Sequence, residues 1–224
     1  MSRISTKPNL FDRPTVTLLK KGKMKFKNKN KTLLILDLDE TLIHGREKPL
    51  EKKEDFKVFH FFIYKRPFLK EFLNSVKENF LVAVWSSGSD DYVDEIVKHI
   101  FPKNYPLEFV WGRSRCVYRS KRYNEDFGRH TEDYSNPYFY VKPIKKLKKH
   151  GFYKNRVLLV DDSPEKCIDN YGNAIYPKEY LGENEDNELL FLLEYLSKLK
   201  NIENVREIEK RGWKSGIKIN KNSR

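Results

Sequence analysis

The chain has 224 residues, 38% of them hydrophobic and 14% aromatic, enough for one elaborated domain with a sizeable core. Its formal charge of +13 is concentrated at the ends. Residues 1–31 carry a net +9 and 210–224 a net +6, which leaves 32–209 at −2. The two cysteines, Cys116 and Cys167, form no CxxC and no His pair has zinc spacing, which argues against a disulfide framework or structural zinc.

The first 31 residues read as a basic arm. Its run Lys20–Lys31 is suited to nucleic acid, an anionic membrane or an acidic partner, but Phe26 is its only aromatic, too little for a stacking platform. A solvated arm is the expectation there. No apolar signal core or stretch of roughly 18–20 apolar residues occurs, so no membrane association is expected. A monomeric cytoplasmic protein is the corresponding expectation, with the nucleus left open if the source is eukaryotic.

Residues 32–38 (TLLILDL) form a continuous branched-apolar run, the pattern of a strand buried on both faces. Pro67 is expected at the first position of a helix that buries Phe68, Leu69, Phe72, Leu73, Val76 and Phe80. LVAVW (81–85) is a second strand, ending in Ser86-Ser87-Gly88-Ser89. A helix then carries Val93, Ile96, Val97 and Ile100 on one face, with acids in its first turn.

LEFVW (107–111) is a third strand, and the polar, aromatic stretch 112–140 reads as an inserted hairpin or flap. PIKKLKKHG (143–151) is a short basic helix closed by Gly151. RVLLV (156–160) is a fourth strand and Ser163-Pro164 a helix start. A short AIYP strand and a helix over 188–199 end a domain spanning 32–209, with 210–224 as a basic tail. Strands alternating with helices predict a doubly wound, Rossmann-like parallel α/β sheet with a flap after its third core strand. Ligands of such sheets collect beyond the carboxyl ends of the strands.

The first strand ends in DLDET, which places Asp37 and Asp39 on one side of an extended chain. Neighbouring carboxylates repel each other and need a cation or a shared proton. The fourth strand ends in a second acidic pair, Asp161-Asp162. A single acid at a strand end more often serves a turn, but four acids at two strand ends point to a hard cation such as Mg²⁺ with a phosphate.

These segments also carry a resemblance. LLILDLDETLIH, RPFLKEFL, VWSSGS, YVK and VLLVDDSPEKC, in that order, resemble the haloacid dehalogenase superfamily. Within it they resemble the small carboxy-terminal-domain, NLI interacting factor-like phosphatases, over roughly residues 32–213. The resemblance implies a Mg²⁺-dependent phosphomonoester hydrolase acting on phosphoserine or phosphothreonine in proteins. Asp37 would be the nucleophile that becomes an aspartyl phosphate. Asp39 would be the general acid and base, its backbone carbonyl on Mg²⁺. Ser86, Lys142, Arg113 and Thr41 of the DxDxT motif would hold the phosphorylated substrate. Asp37, Asp39 and Asp162 would hold the metal, with Asp161 beside them.

Arg115 and Arg119 are rivals of Arg113, His44 has no assigned task, and Cys167 is expected in the core. Asp161-Asp162 departs from the Asp-Asn usual in this branch, and 25 residues between Cys116 and Lys142 exceed its usual short hairpin. An enlarged flap and the basic tails leave two alternatives open. One is a phosphatase for nucleic-acid ends or small metabolites; the other is a non-catalytic basic interaction module.

Overall fold

The computed structural model describes residues 31–120 and 138–217. Most of the basic arm, residues 121–137 of the insertion and the end of the basic tail lie outside the described residues.

The sheet is built around β1 (Leu33–Leu36), whose four residues are all buried. On one side β1 pairs in parallel with β5 (Leu81–Trp85), which pairs with β6 (Leu107–Trp111). On the other it pairs with β9 (Val157–Val160), which pairs with β10 (Ala174–Ile175). The order β10-β9-β1-β5-β6 makes the acidic strand central, which is why its sequence is apolar on both faces.

Alternate residues of β1 feed two cores. Leu34 and Leu36 join Phe72 of α1 (Leu69–Asn79), Ile96 of α2 (Asp90–Ile100) and Leu192 of α3 (Glu188–Leu199). Leu33 and Ile35 join Trp85, Trp111, Leu147 and Cys167 on the opposite face. That face is covered by two seven-residue 3-10 segments, Ile144–His150 and Pro164–Asn170. The first is closed by Gly151 in the left-handed region, the expected stop. Cys167 lies in the core as expected.

The insertion begins as an antiparallel pair, β7 (Val117–Ser120) with β8 (Tyr138–Val141). A second antiparallel sheet, β2 (Ile43–Arg46), β4 (Phe61–Lys65) and β3 (Phe56–Val58) in the order β2-β4-β3, has no counterpart in the sequence reading. Its strands are short, largely half-buried and without clean alternation. Among the described residues no helix is long and apolar enough to cross a membrane.

The helix expected to start at Pro67 starts two residues later. Leu69 N–H reaches the Arg66 carbonyl at 3.2 Å, and Phe68 has φ 64 and ψ 14. Proline second and a left-handed residue third is the type II turn pattern, so Pro67 serves a turn before the helix. That turn aims Arg66 inward, where it is 1% exposed. Its guanidinium donates to both oxygens of Asp186 at 2.9 Å and to the carbonyls of Thr41 and Lys178. Arg66 thus fastens the loop after β1 to the chain entering α3.

Removing one partner of a buried ion pair strands the other, typically at a cost of about 3–5 kcal/mol. Asp186→Ala is therefore expected to lower the unfolding free energy by that order, measured by chemical unfolding. The pair also has a pH signature. Burial pushes the Asp186 carboxyl up, but the Arg66 hydrogen bonds outweigh it and hold the carboxyl below its ordinary value. A depressed folded pKa gives stability that is present above the ordinary carboxylate range and lost as pH falls through the folded value. Asp186→Asn should flatten the acid limb of the stability curve; an unchanged limb would remove the pair from the account.

The described part of the segment read as a basic tail packs onto the domain. Lys210 is buried and donates to the carbonyls of Gly172, Val205 and Ile208. Trp213 Nε1 donates to the Tyr176 carbonyl at 2.8 Å, and Lys214 pairs with Glu188 at the start of α3.

Candidate active site

The register of the sheet assembles the acids. Leu36 lies beside Val160, so the residues that follow, Asp37 and Asp161, leave adjacent strand ends together. The chain then doubles back sharply: the N–H groups of Thr41, Leu42 and Ile43 all point to the Leu38 carbonyl. Glu40, inside this loop, has φ 57, a costly backbone state of the kind found where a loop is held for function.

Asp37 is 1% exposed. Its Oδ1 accepts from the Leu38 N–H and pairs with Lys142 Nζ, both at 2.8 Å, and its Oδ2 lies 3.3 Å from Lys166 Nζ. Burial alone would raise this carboxyl; the two ammonium groups and the N–H outweigh it, and it is held below the ordinary range. Lys142, at the end of β8, is fully buried and also bonds Asp161 Oδ2 at 2.6 Å. Burial opposes its charge, but Asp161 and Asp37 together keep it protonated.

Asp39 is set differently. Its Oδ1 accepts from the Tyr92 hydroxyl at 2.6 Å and its Oδ2 lies 3.4 Å from Ser86 Oγ. Burial, and after it the Asp37 charge, outweigh the tyrosine bond and raise this carboxyl. Gly45 makes the tyrosine contact feasible, since a Cβ there would stand 2.7 Å from the Tyr92 hydroxyl oxygen. Two acids two residues apart are thus driven in opposite directions. Burial and the Asp39 and Asp162 charges push Glu40 up to about 8, and its Oε1 meets His44 Nδ1 at 3.2 Å.

Oxygens of Asp37, Asp161 and Asp162 lie within 4.8 Å of one another, an all-oxygen set suited to a hard cation. The Asp39 carboxylate is outside this group, and Asp161 is within it. Thr41 is fully buried; its hydroxyl donates to Asp162 Oδ1 at 3.2 Å and accepts from the Asp162 N–H. Ser86 Oγ accepts from the Gly88 N–H at 2.9 Å.

A cleft of about 470 Å³ opens over Asp39, lined also by Phe59, His60, Tyr92 and Arg113. Of the three arginines weighed from the sequence, only Arg113 lines it. Its Nε donates to the Ser87 carbonyl and its guanidinium lies over Tyr140. Arg119 is engaged with both oxygens of Asp169, and Arg115 lies over Trp111.

Other proteins share this sequence pattern and this fold. Residues 32–206 match the family described as NLI interacting factor-like phosphatase. The chain belongs to that family. It is 31% identical over 183 residues to CTD small phosphatase-like protein 2 of Dictyostelium discoideum, covering 79% of this chain and 29% of that protein. To human carboxy-terminal domain RNA polymerase II polypeptide A small phosphatase 1 it is 25% identical over 191 residues, covering 82% of this chain and 65% of that one. A solved structure of Fcp1, described as an essential RNA polymerase II CTD phosphatase, shares the fold with a TM-score of 0.57 at 17% identity. It covers 76% of this chain and 62% of the other. The chain spans less than two thirds of the length of each of these relatives.

Against this NLI interacting factor-like background, three participants went unread in the sequence. Tyr92 and Glu40 carry no motif signal. Lys166 does carry one: it stands four residues after Asp162, the spacing at which a helical turn faces back.

Proposed function

We propose that the chain is a Mg²⁺-dependent phosphomonoester hydrolase that dephosphorylates serine or threonine in proteins through a phosphate carried on Asp37. The observation behind this reading is the divergent setting of two neighbouring carboxyls: Asp37 lies between the Lys142 and Lys166 ammonium groups, which hold it below the ordinary range, and Asp39 lies buried against the Tyr92 hydroxyl and is raised. Environments that drive two acids apart assign the nucleophile and the acid.

In the first step an Asp37 oxygen attacks phosphorus and the bond to the leaving serine or threonine oxygen breaks. Tyr92 engages Asp39 Oδ1, which leaves Oδ2 to carry the proton given to that oxygen. In the second step Asp39 takes a proton from water, whose oxygen attacks phosphorus. The bond to Asp37 breaks and inorganic phosphate leaves. Splitting the hydrolysis this way replaces one hard displacement by two easier ones.

Lys142 steadies Asp37, while the Ser86 hydroxyl and the Arg113 guanidinium are suited to phosphoryl oxygens and substrate at the cleft. Asp37, Asp161 and Asp162, with the Asp39 carbonyl, would hold Mg²⁺. The ion would supply positive charge to the phosphoryl oxygens and let the carboxylates stand together. The names of the relatives favour a phosphoprotein substrate. The Asp37-Asp39 pair argues against a purely non-catalytic module.

The test is turnover of phosphopeptides, of 3′- and 5′-phosphorylated oligonucleotides and of sugar phosphates, with and without chelator. Phosphopeptides should be preferred, and chelation should remove activity on every substrate, an aryl phosphate included. Undiminished hydrolysis after exhaustive chelation would end the metal assignment. Preference for oligonucleotide ends would move the substrate to nucleic acid.

A further inference from the structure

Two lysines face five of the six carboxylate oxygens of the candidate metal group, and the sixth, Asp162 Oδ2, accepts from Ser163 Oγ. Lys142, fully buried, takes Asp37 Oδ1 and Asp161 Oδ2. Lys166 Nζ faces three others: Asp37 Oδ2 at 3.3 Å, Asp161 Oδ1 at 3.9 Å and Asp162 Oδ1 at 3.9 Å. One ammonium thus stands near one oxygen of each carboxylate that could hold the ion. Lys142 touches only two of the three and is locked inside. The Lys166 side chain is 19% exposed, and its backbone N–H is tied to Ser163 in the 3-10 segment after β9. It is a tethered cation with a route outward.

We propose that Lys166 is a built-in competitor for the divalent cation, holding the three carboxylates together beforehand and withdrawing when the ion enters. The proposal rests on the phosphatase reading and its metal site. The physical reason is crowding of like charge. A lysine ammonium and a divalent ion cannot share one focus a few ångströms across, because their repulsion is only weakly screened at a largely buried site. Binding the ion therefore includes the work of displacing the lysine, which lowers affinity and makes loading depend on the free ion concentration.

The test measures binding itself, by calorimetric titration of Mg²⁺ into the chelator-stripped full chain and its Lys166 variants. Lys166→Met should bind Mg²⁺ tighter, by roughly tenfold or more. Lys166→Arg, which keeps the charge, should stay within about threefold of the parent. Thermal unfolding supplies a second readout. In chelator, Lys166→Met should melt below the parent, because three carboxylates have lost a counterion. Saturating Mg²⁺ should close or reverse that gap, since the variant gains more from the ion.

Should Lys166→Met fail to fold, Lys166→Gln removes the same charge with a polar side chain and reads the same way. Equal or weaker Mg²⁺ binding in the neutral variants would overturn the proposal while leaving the metal site intact. Absence of Mg²⁺ binding in parent and variants alike would overturn the metal reading itself, and this proposal with it.

Discussion

Asp37→Asn is expected to abolish turnover and to form no phosphorylated enzyme, whereas Asp39→Asn should fail at a different point. Asn at position 37 cannot serve as the attacking carboxylate. Asn at position 39 leaves the Asp37 carboxylate and its Lys142 contact in place but removes the proton donor and the activator of water. Loss of general acid–base assistance costs on the order of 10²–10⁴-fold. An aryl phosphate leaves with little need of a proton, so its first step proceeds in this variant while hydrolysis of the intermediate stalls. Acid-quenched protein should then carry one added phosphate on Asp37 by mass spectrometry. Label on Ser86, or on the Asp37→Asn protein, would show that another group is the nucleophile.

Lys142→Met should be the most damaging single change to the architecture of the site. It leaves Asp37 and Asp161, at 1% and 0% exposure, facing each other without the ammonium that bonds both. Breaking a buried pair in this way costs about 3–5 kcal/mol, on the order of a 10 °C loss in melting temperature for a domain of this size. Activity should fall with it, since only Lys166 and the Leu38 N–H would then oppose the burial that raises Asp37, and fewer molecules would hold an ionised nucleophile. A cycle with Asp161→Asn separates the effects. Removing the second carboxylate should recover part of the stability lost with Lys142, but not the activity. A Lys142→Met protein that melts within about 1 °C of the parent would mean that the lysine is not the counterion of this pair.

What the sequence by itself determined is what local pattern can encode. The run from Leu33 to Leu36 is apolar at every position because both faces of the central strand are covered. The residues just after it and after Val160 are acidic, so the order of the motifs alone points to a strand-end site. The stop at Gly151 was legible from capping, and a helix over 188–199 was expected and is present. The sheet β2-β4-β3 was not, because short, half-buried strands lack a period to read and are held by pairing across the sheet.

Only the tertiary structure decided how the acids are shared out. Strand register puts Asp161 beside Asp37 and into the candidate metal group. Tyr92, which approaches from α2 over Gly45, turns the Asp39 carboxyl away to the cleft. Arg113 was separated from Arg115 and Arg119 in the same manner, by what each side chain meets in space. A carboxyl's charge depends on burial and on cations brought from remote positions, 105 residues away for Lys142 and 129 for Lys166. Spacing along the chain carries no record of those distances; packing of the sheet and its two covering layers sets them.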